Sequence, residues 1–404
     1  MTSRQRSLRG ESAIVGIGET TYYKHGRSPD AEFVLALKAI LAACDDAGID
    51  PRDIDGFSSY SNDRSEASRL AAALGTHELR FASMQWGGGG GGMAGAVANA
   101  AAAIACGMAD KVVVFRALAQ GQFGRFGQGS SSYAKGQGSD GQTVSGDVAF
   151  LSPYGLISPA HRHGIKVNRF MHDHGIRAEA LKAIAMTSYH HAQRNPRAVM
   201  YGRPLDDEKY DSARWIVEPF RLYDCCQEND GAAALLLCAA DEAKSHRRRP
   251  AYVLAAAAGS HHRCAAASFN APDLASAGFK PVTPRLYGMA GLSPRDIDVV
   301  QAYEHFTGGV VMSLVEHGLF DVSEANEFLQ VENLMAPHGR MPLNTSGGNL
   351  AECYMHGLGL AVEAVRQIRG DSVNQVPDAH VGLVIAGPLV TPVSSMILGS
   401  EETL

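Results

Sequence analysis

The chain has 404 residues, 45% apolar and 19% charged, with 44 glycines and a formal net charge of −6. That length buries a large core and suggests two domains or a single large bipartite domain. Weak acidity gives no general attraction to nucleic acid or an anionic membrane. No apolar run reaches the roughly 18 residues a membrane span needs, and the opening residues lack a signal-peptide apolar region. The seven cysteines are odd in number, with Cys225 and Cys226 adjacent and no C-x-x-C spacing. This is the pattern of a reducing, cytoplasmic protein with neither disulfides nor a zinc site.

Ala13 to Ile17 reads as a short strand ending at Gly18. Residues 30 to 48 repeat apolar positions with helical spacing, and Gly48 is a suitable stop. A turn over Ile49-Asp50-Pro51-Arg52-Asp53 leads into a strand from Gly56, which is α/β wording. Six glycines, Gly87 to Gly92, precede an alanine-rich helix from Met93 to Cys106 and a buried strand over Lys111 to Phe115. Glycines ahead of a helix let a ligand approach backbone N–H groups at its positive end. Residues 117 to 150 are an irregular polar excursion. Residues 160 to 195 read as helices whose many histidines, His163 and His191 among them, match no metal template and are assigned to surface or packing. Apolar strands follow at Gly231 to Leu237 and Ala251 to Ala258. The basic run His246-Arg247-Arg248-Arg249 reads as a solvated loop.

An internal repeat organises these elements. Ala47-Gly48-Ile49-Asp50-Pro51-Arg52-Asp53-Ile54-Asp55 returns as Ala290-Gly291-Leu292-Ser293-Pro294-Arg295-Asp296-Ile297-Asp298. The glycine loop, helix and strand of 87 to 115 are echoed by Gly347 to Ile385. Two copies of one α/β unit indicate a pseudo-twofold protein, with its site where the halves meet. The second copy holds the densest polar stretch of the chain, SGGNLAECYMHGLG, Ser346 to Gly359. It sets Glu352, Cys353, Tyr354 and His356 among residues the flanking sequence would bury, which marks a satisfied network or a site.

This layout resembles the thiolase fold, and its nearest branch looks like the sterol-carrier-protein and lipid-transfer thiolases. The words that carry the likeness include Arg169-Phe170-Met171-His172-Asp173-His174-Gly175, Asp224-Cys225-Cys226, Asp230-Gly231-Ala232-Ala233-Ala234 and Asn344-Thr345-Ser346-Gly347-Gly348. The resemblance implies an α/β protein of two pseudo-twofold βαβ halves in a five-layered αβαβα arrangement. The N-terminal half would be 1–260, with a loop-domain insertion at about 118–215, and the C-terminal half 261–404. It also implies acyl-CoA bound between the halves and a dimer paired through N-terminal strands, for which Val112 to Phe115 is the candidate edge.

The departures from the family set the chemistry. The family's nucleophilic cysteine would fall on Gly90, and its two histidines on Tyr303, in Ala302-Tyr303-Glu304-His305-Phe306, and on Tyr354. Glycine forms no acyl-enzyme, so thiolysis and Claisen condensation are disfavoured. A retro-aldol cleavage of a β-hydroxyacyl thioester needs only a base, an acid and an oxyanion hole. The pattern resembles the steroid side-chain-cleaving aldolases, which split a 17-hydroxy-steroid-20-carboxyl-CoA into a 17-ketosteroid and propanoyl-CoA. The resemblance makes Tyr303 and Tyr354 the catalytic pair, with the roles of base and acid open between them. Glu304, His305 and His356 stand as residues that tune a phenol, and Gly90, Asn344 and Gly387 as oxyanion or substrate-binding residues. It further implies an OB-fold partner with a zinc ribbon, zinc in the partner alone, no cofactor in this chain, and a homodimer core within a heterotetramer. An aldolase for another hydroxyacyl-CoA, such as a bile-acid side chain, a non-catalytic acyl-CoA or lipid binder, and a structural subunit whose partner holds the chemistry remain as alternatives.

Overall fold

The structure is a computed structural model that describes residues 7–61, 63–87, 89–123, 147–262 and 273–404. Most of the polar excursion at 117–150, and with it a portion of the 118–215 insertion, lies outside the described residues.

The strands run in chain order as β1 (Ser12–Glu19), β2 (Tyr23–Lys24), β3 (Gly56–Tyr60), β4 (Phe81–Gln85), β5 (Lys111–Ala119), β6 (Trp215–Val217), β7 (Phe220–Arg221), β8 (Asn229–Ala239), β9 (Ala251–Gly259), β10 (Val299–Ala302), β11 (Val381–Ala386) and β12 (Val393–Gly399). Nine join in the order β10-β11-β12-β9-β1-β8-β5-β3-β4, β2 adds to β8, and β6 pairs with β7 apart from them. β8 is buried along nearly its whole length. Its alternate residues serve two different cores, Ala232, Ala234 and Leu236 on one face and Ala233, Leu235 and Leu237 on the other. A strand covered on both faces reads as a continuous apolar run, as this one does. The helices Met93–Ala105 and Leu358–Arg369 share the second core with strands of both halves. Glu32–Ala47 and Thr283–Ala290 pack on the opposite faces. The outcome is helix, sheet, helix, sheet, helix.

The twofold is explicit in the pairing. β3 and β5 are parallel and are followed by antiparallel β8 and β1. β10 and β11 are parallel and are followed by antiparallel β12 and β9. A single parallel bridge from Val300 to Leu343 stands beside β10 where β4 stands beside β3. The halves join along β1 and β9 through Ala13 with Tyr252 and Ile14 with Ala251. β9 precedes the division at 260/261, yet its longer ladder is with β12 of the second half.

Both copies of the repeated word form the same device. Each enters its strand through a one-turn 3₁₀ helix, Pro51–Asp53 or Pro294–Asp296. The closing aspartate then clamps the neighbouring strand. The Asp55 carboxylate accepts the N–H groups of Asp110 and Lys111, and that of Asp298 accepts those of His380 and Val381 at 2.8 Å each.

One reading is corrected. The Val112–Phe115 segment is not a sheet edge, because β5 is bonded to β3 on one side and to β8 on the other. The edge of that half is β4. The basic run is the solvated loop expected, and its arginines form surface ion pairs, Arg247 and Arg248 with Asp45 and Asp46 of the Glu32–Ala47 helix and Arg249 with Glu402.

Candidate active site

Tyr303 follows directly on β10, and its N–H donates to the Ile385 carbonyl of β11 at 2.9 Å. The preceding residue is clamped. Asn344 accepts the Ala302 N–H at 2.7 Å and donates to the Ala302 carbonyl at 2.8 Å. Asn344 itself sits at φ 50°, a left-handed angle uncommon outside glycine. His191 supports it: the ring accepts the Ala336 N–H at Nε2, leaving Nδ1 to donate to the Asn344 carbonyl at 3.1 Å. The chain is thereby fixed immediately before the tyrosine.

The Tyr303 ring lies against two glycines. A Cβ at Gly90 would overlap the ring and reach within 2.6 Å of its Oη, and one at Gly357 would come within 2.7 Å of Cδ2. Position 90 thus has no room for a side chain beside the phenol. Tyr354 lies in the loop between the short helix Gly348–Ala351 and the helix Leu358–Arg369. Its N–H donates to Asn229 of β8 at 2.9 Å. The two phenols meet there, with Tyr303 Oη donating to Tyr354 Oη at 2.8 Å in a buried setting. Burial, then the neighbouring Tyr354, pushes the Tyr303 phenol well above its usual 10.

The neighbours differ in what they face. His356, at φ 48°, stands edge-on to Tyr354 with ring centroids 5.1 Å apart. Its Nδ1 accepts the Arg116 Nε–H at 3.1 Å. Burial, then that guanidinium, holds the imidazole neutral far below the usual range. His305 meets His163 at 3.1 Å between ring nitrogens, and burial lowers it to about 3. Glu304 turns away toward Asn349, whose Nδ2 donates to it at 3.1 Å, and overlies Gly348, where a Cβ would come within 2.7 Å of its Cδ. Burial pushes its carboxyl up to about 8.

Gly387, at φ 66°, packs its loop onto the Gly90–Gly91 turn, where a Cβ would overlap the Gly91 backbone. Ser394 ties the turn down, donating to the Gly91 carbonyl at 2.6 Å and accepting the Ala94 N–H at 3.1 Å. Tyr303, Tyr354, His356, Gly90 and Gly387 are therefore gathered at the meeting of the halves. Asn344 has its amide taken up by Ala302, and Glu304 faces the loop behind. Burial pushes the thiols of Cys226 and Cys353 well above 9, so both stay protonated and unreactive at neutral pH.

Three residues of this region escape the sequence reading. The sequence assigns His163 to surface or packing, and no spacing marks its approach to His305. Arg116 and Asp63 pair inside the site at 2.5 Å. The arginine carries a usable signal, as the one charge within the apolar run Val112 to Ala119.

A thiolase architecture with two buried, hydrogen-bonded phenols beside its glycine-rich helix turn defines a thiolase-fold protein. Residues 258–400 match the thiolase C-terminal domain-like family. The steroid side-chain-cleaving aldolase of Thermomonospora curvata is 40% identical, covering 98% of this chain and 99% of that one. The 17-hydroxy-3-oxo-4-pregnene-20-carboxyl-CoA lyase of Mycobacterium tuberculosis is 39% identical, covering 97% and 100%. The solved Ltp2-ChsH2(DUF35) aldolase superposes with a TM-score of 0.89 at 37% identity, covering 99% and 100%. The chain belongs to the steroid side-chain-cleaving aldolases, carbon–carbon lyases on the thiolase fold.

Proposed function

We propose that the protein cleaves a 17-hydroxy-steroid-20-carboxyl-CoA by retro-aldol reaction, giving a 17-ketosteroid and propanoyl-CoA. The observation that carries this reading is the buried 2.8 Å hydrogen bond between Tyr303 and Tyr354, together with the substrate for which the M. tuberculosis relative is named. Tyr354, as phenolate, takes the proton of the 17-hydroxyl. The bond between the hydroxyl-bearing carbon and the α-carbon breaks, leaving a ketone, and its electrons pass to the thioester carbonyl as an enolate. Backbone N–H groups around Gly90 and Gly387 hold that oxygen. Tyr303, kept protonated by burial and lying against Gly90, gives its proton to the α-carbon. The proton gained by Tyr354 then crosses the hydrogen bond to Tyr303, which restores the starting state. His356 and His305 pack about the pair, Glu304 sits behind it, and Asn344 holds the strand end.

The partner follows the relative whose name joins the aldolase to a DUF35 protein. An OB-fold protein with a zinc ribbon would bind here, the zinc in that partner alone, around a homodimer of this chain in a heterotetramer. The unpaired edge of β4 offers the homodimer contact that β5 does not.

The test is incubation of the complex with the steroid-CoA ester, with propanoyl-CoA and ketosteroid followed by mass spectrometry. Tyr303→Phe and Tyr354→Phe each lower turnover by about 10²–10⁴-fold while the ester still binds. Binding without cleavage in the wild type sinks the substrate assignment.

A further inference from the structure

The buried arginine beside the site has no role in the proton cycle just described. Arg116 lies on β5 and is 3% exposed. Its three nitrogens are spent in fixed directions: Nε to His356 Nδ1 at 3.1 Å, one terminal nitrogen to Asp63 at 2.5 Å, the other to the Ser61 carbonyl at 3.3 Å. The guanidinium also lies 5.9 Å from the Tyr60 ring centroid, and Tyr60 in turn donates to the His356 carbonyl at 3.1 Å. A cation costs free energy to bury unless it is paired and bonded on all sides. Here the pairing is asymmetric, with the carboxylate on one side and a neutral imidazole, then Tyr354, on the other. The His356 ring, bonded to the guanidinium at Nδ1 and edge-on to Tyr354, links the cation to the phenol.

Resting on the aldolase reading above, we propose that Arg116 is the positioning residue that makes Tyr354 the base. It fixes the His356 ring through Nδ1 and sets a permanent positive charge one imidazole away from the phenolate. Asp63 limits the strength of that charge.

The remaining ionisable groups around the pair do not compete. Tyr303 and the thiols of Cys226 and Cys353 are held protonated, and His163 and His305 neutral, by burial. Glu352, on the same loop as Tyr354, and Glu19 of β1 face Arg366 and Arg197. Asp230 of β8 accepts the Ser28 N–H. Arg64, the other cation felt by His356, is paired with Glu32.

The proposal predicts shifts of opposite sign from the two members of one pair. A unit charge at about 8 Å in a protein interior moves a pKa by about one unit. In Arg116→Gln, Tyr354 ionises about one pH unit higher, so the whole basic rise of the pH profile of kcat/KM moves about one unit to higher pH, and at a fixed pH on that rise kcat/KM falls about tenfold. In Asp63→Asn the phenolate is better stabilised, and the rise moves to lower pH. Tyrosinate difference spectra, wild type against Tyr354→Phe and each variant against its own Tyr354→Phe double mutant, give the same order without substrate. Profiles that coincide with wild type in both variants, or move in the same direction, overturn the role of Arg116. A wild-type protein that cleaves no ester but shows the opposed spectral shifts overturns the aldolase reading alone.

Discussion

Position 90 has no room for a side chain, because the Tyr303 ring fills the space. Tyr303 projects from the end of β10 into the space a Cβ of Gly90 would enter, and touches Gly357 on its other side. A side chain at position 90 and the Tyr303 ring therefore exclude each other. Gly90→Cys leaves the protein without thiolase activity, because its sulfur displaces the Tyr303 phenol. Overpacking of this kind costs about 1–3 kcal/mol, and cleavage falls at least about 10²-fold with loss of the Tyr303 proton donor. Thermal unfolding and the propanoyl-CoA assay read both effects. Wild-type turnover in Gly90→Cys would mean that the Tyr303 ring need not occupy that space.

The halves are built from one device used twice, and the repeated aspartate is its fastener. Asp298 bonds two successive N–H groups at the start of β11, as Asp55 does for β5. Asp298→Ala strips both donors of their acceptor and costs about 1–3 kcal/mol. It also loosens the β10–β11 pair from which Tyr303 emerges, so activity falls with stability. Asp55→Ala costs a similar amount of stability but touches the strands bearing Arg116 rather than Tyr303. Urea unfolding of the two variants is the check, and unchanged midpoints in both would remove the fastener role. This pairing is legible in the sequence because a nine-residue word with Pro and Asp at fixed places demands the same turn twice. The six-glycine turn, the helix after it and the buried strand are legible from composition. The face-to-face tyrosines are legible only through family positions, since nothing local says that residues 303 and 354 meet. Arg116 with Asp63, and His163 with His305, are not legible. Each is a contact between elements far apart in the chain, and only the folded sheet brings their side chains together.

For the whole molecule, the buried ionisable groups determine how stability follows pH. His191 and His305 are lowered to about 3 and His317 to about 4 by burial, and His163 and His356 also lie far below the usual 6.5. Below pH 6.5 the unfolded chain binds protons at these five sites that the folded chain refuses, so stability rises with pH up to that point. Three carboxyls act in the opposite sense, because burial raises Asp224 to about 6, Glu352 to about 7 and Glu304 to about 8. Each keeps its proton in the folded state after the unfolded chain has released it, so each subtracts stability as pH rises toward its folded value. Between about pH 4.5 and 6 the five histidines outweigh the three carboxyls. The unfolded histidines are still half-protonated at about pH 6.5 and fall silent only above about pH 7.5, by which point Asp224 and most of Glu352 are ionised and Glu304 is the main group left. Stability is therefore expected to peak near pH 7 and then to decline, by less than about 1.4 kcal/mol per pH unit, as the proton on Glu304 is lost. Glu304→Gln keeps the shape and the Asn349 contact while removing the titration. Its melting temperature holds nearly level from about pH 7.5 to 8.5 where that of the wild type falls, and thermal unfolding across that range decides the matter. A decline of equal slope in both proteins would show that Glu304 is already ionised in the fold.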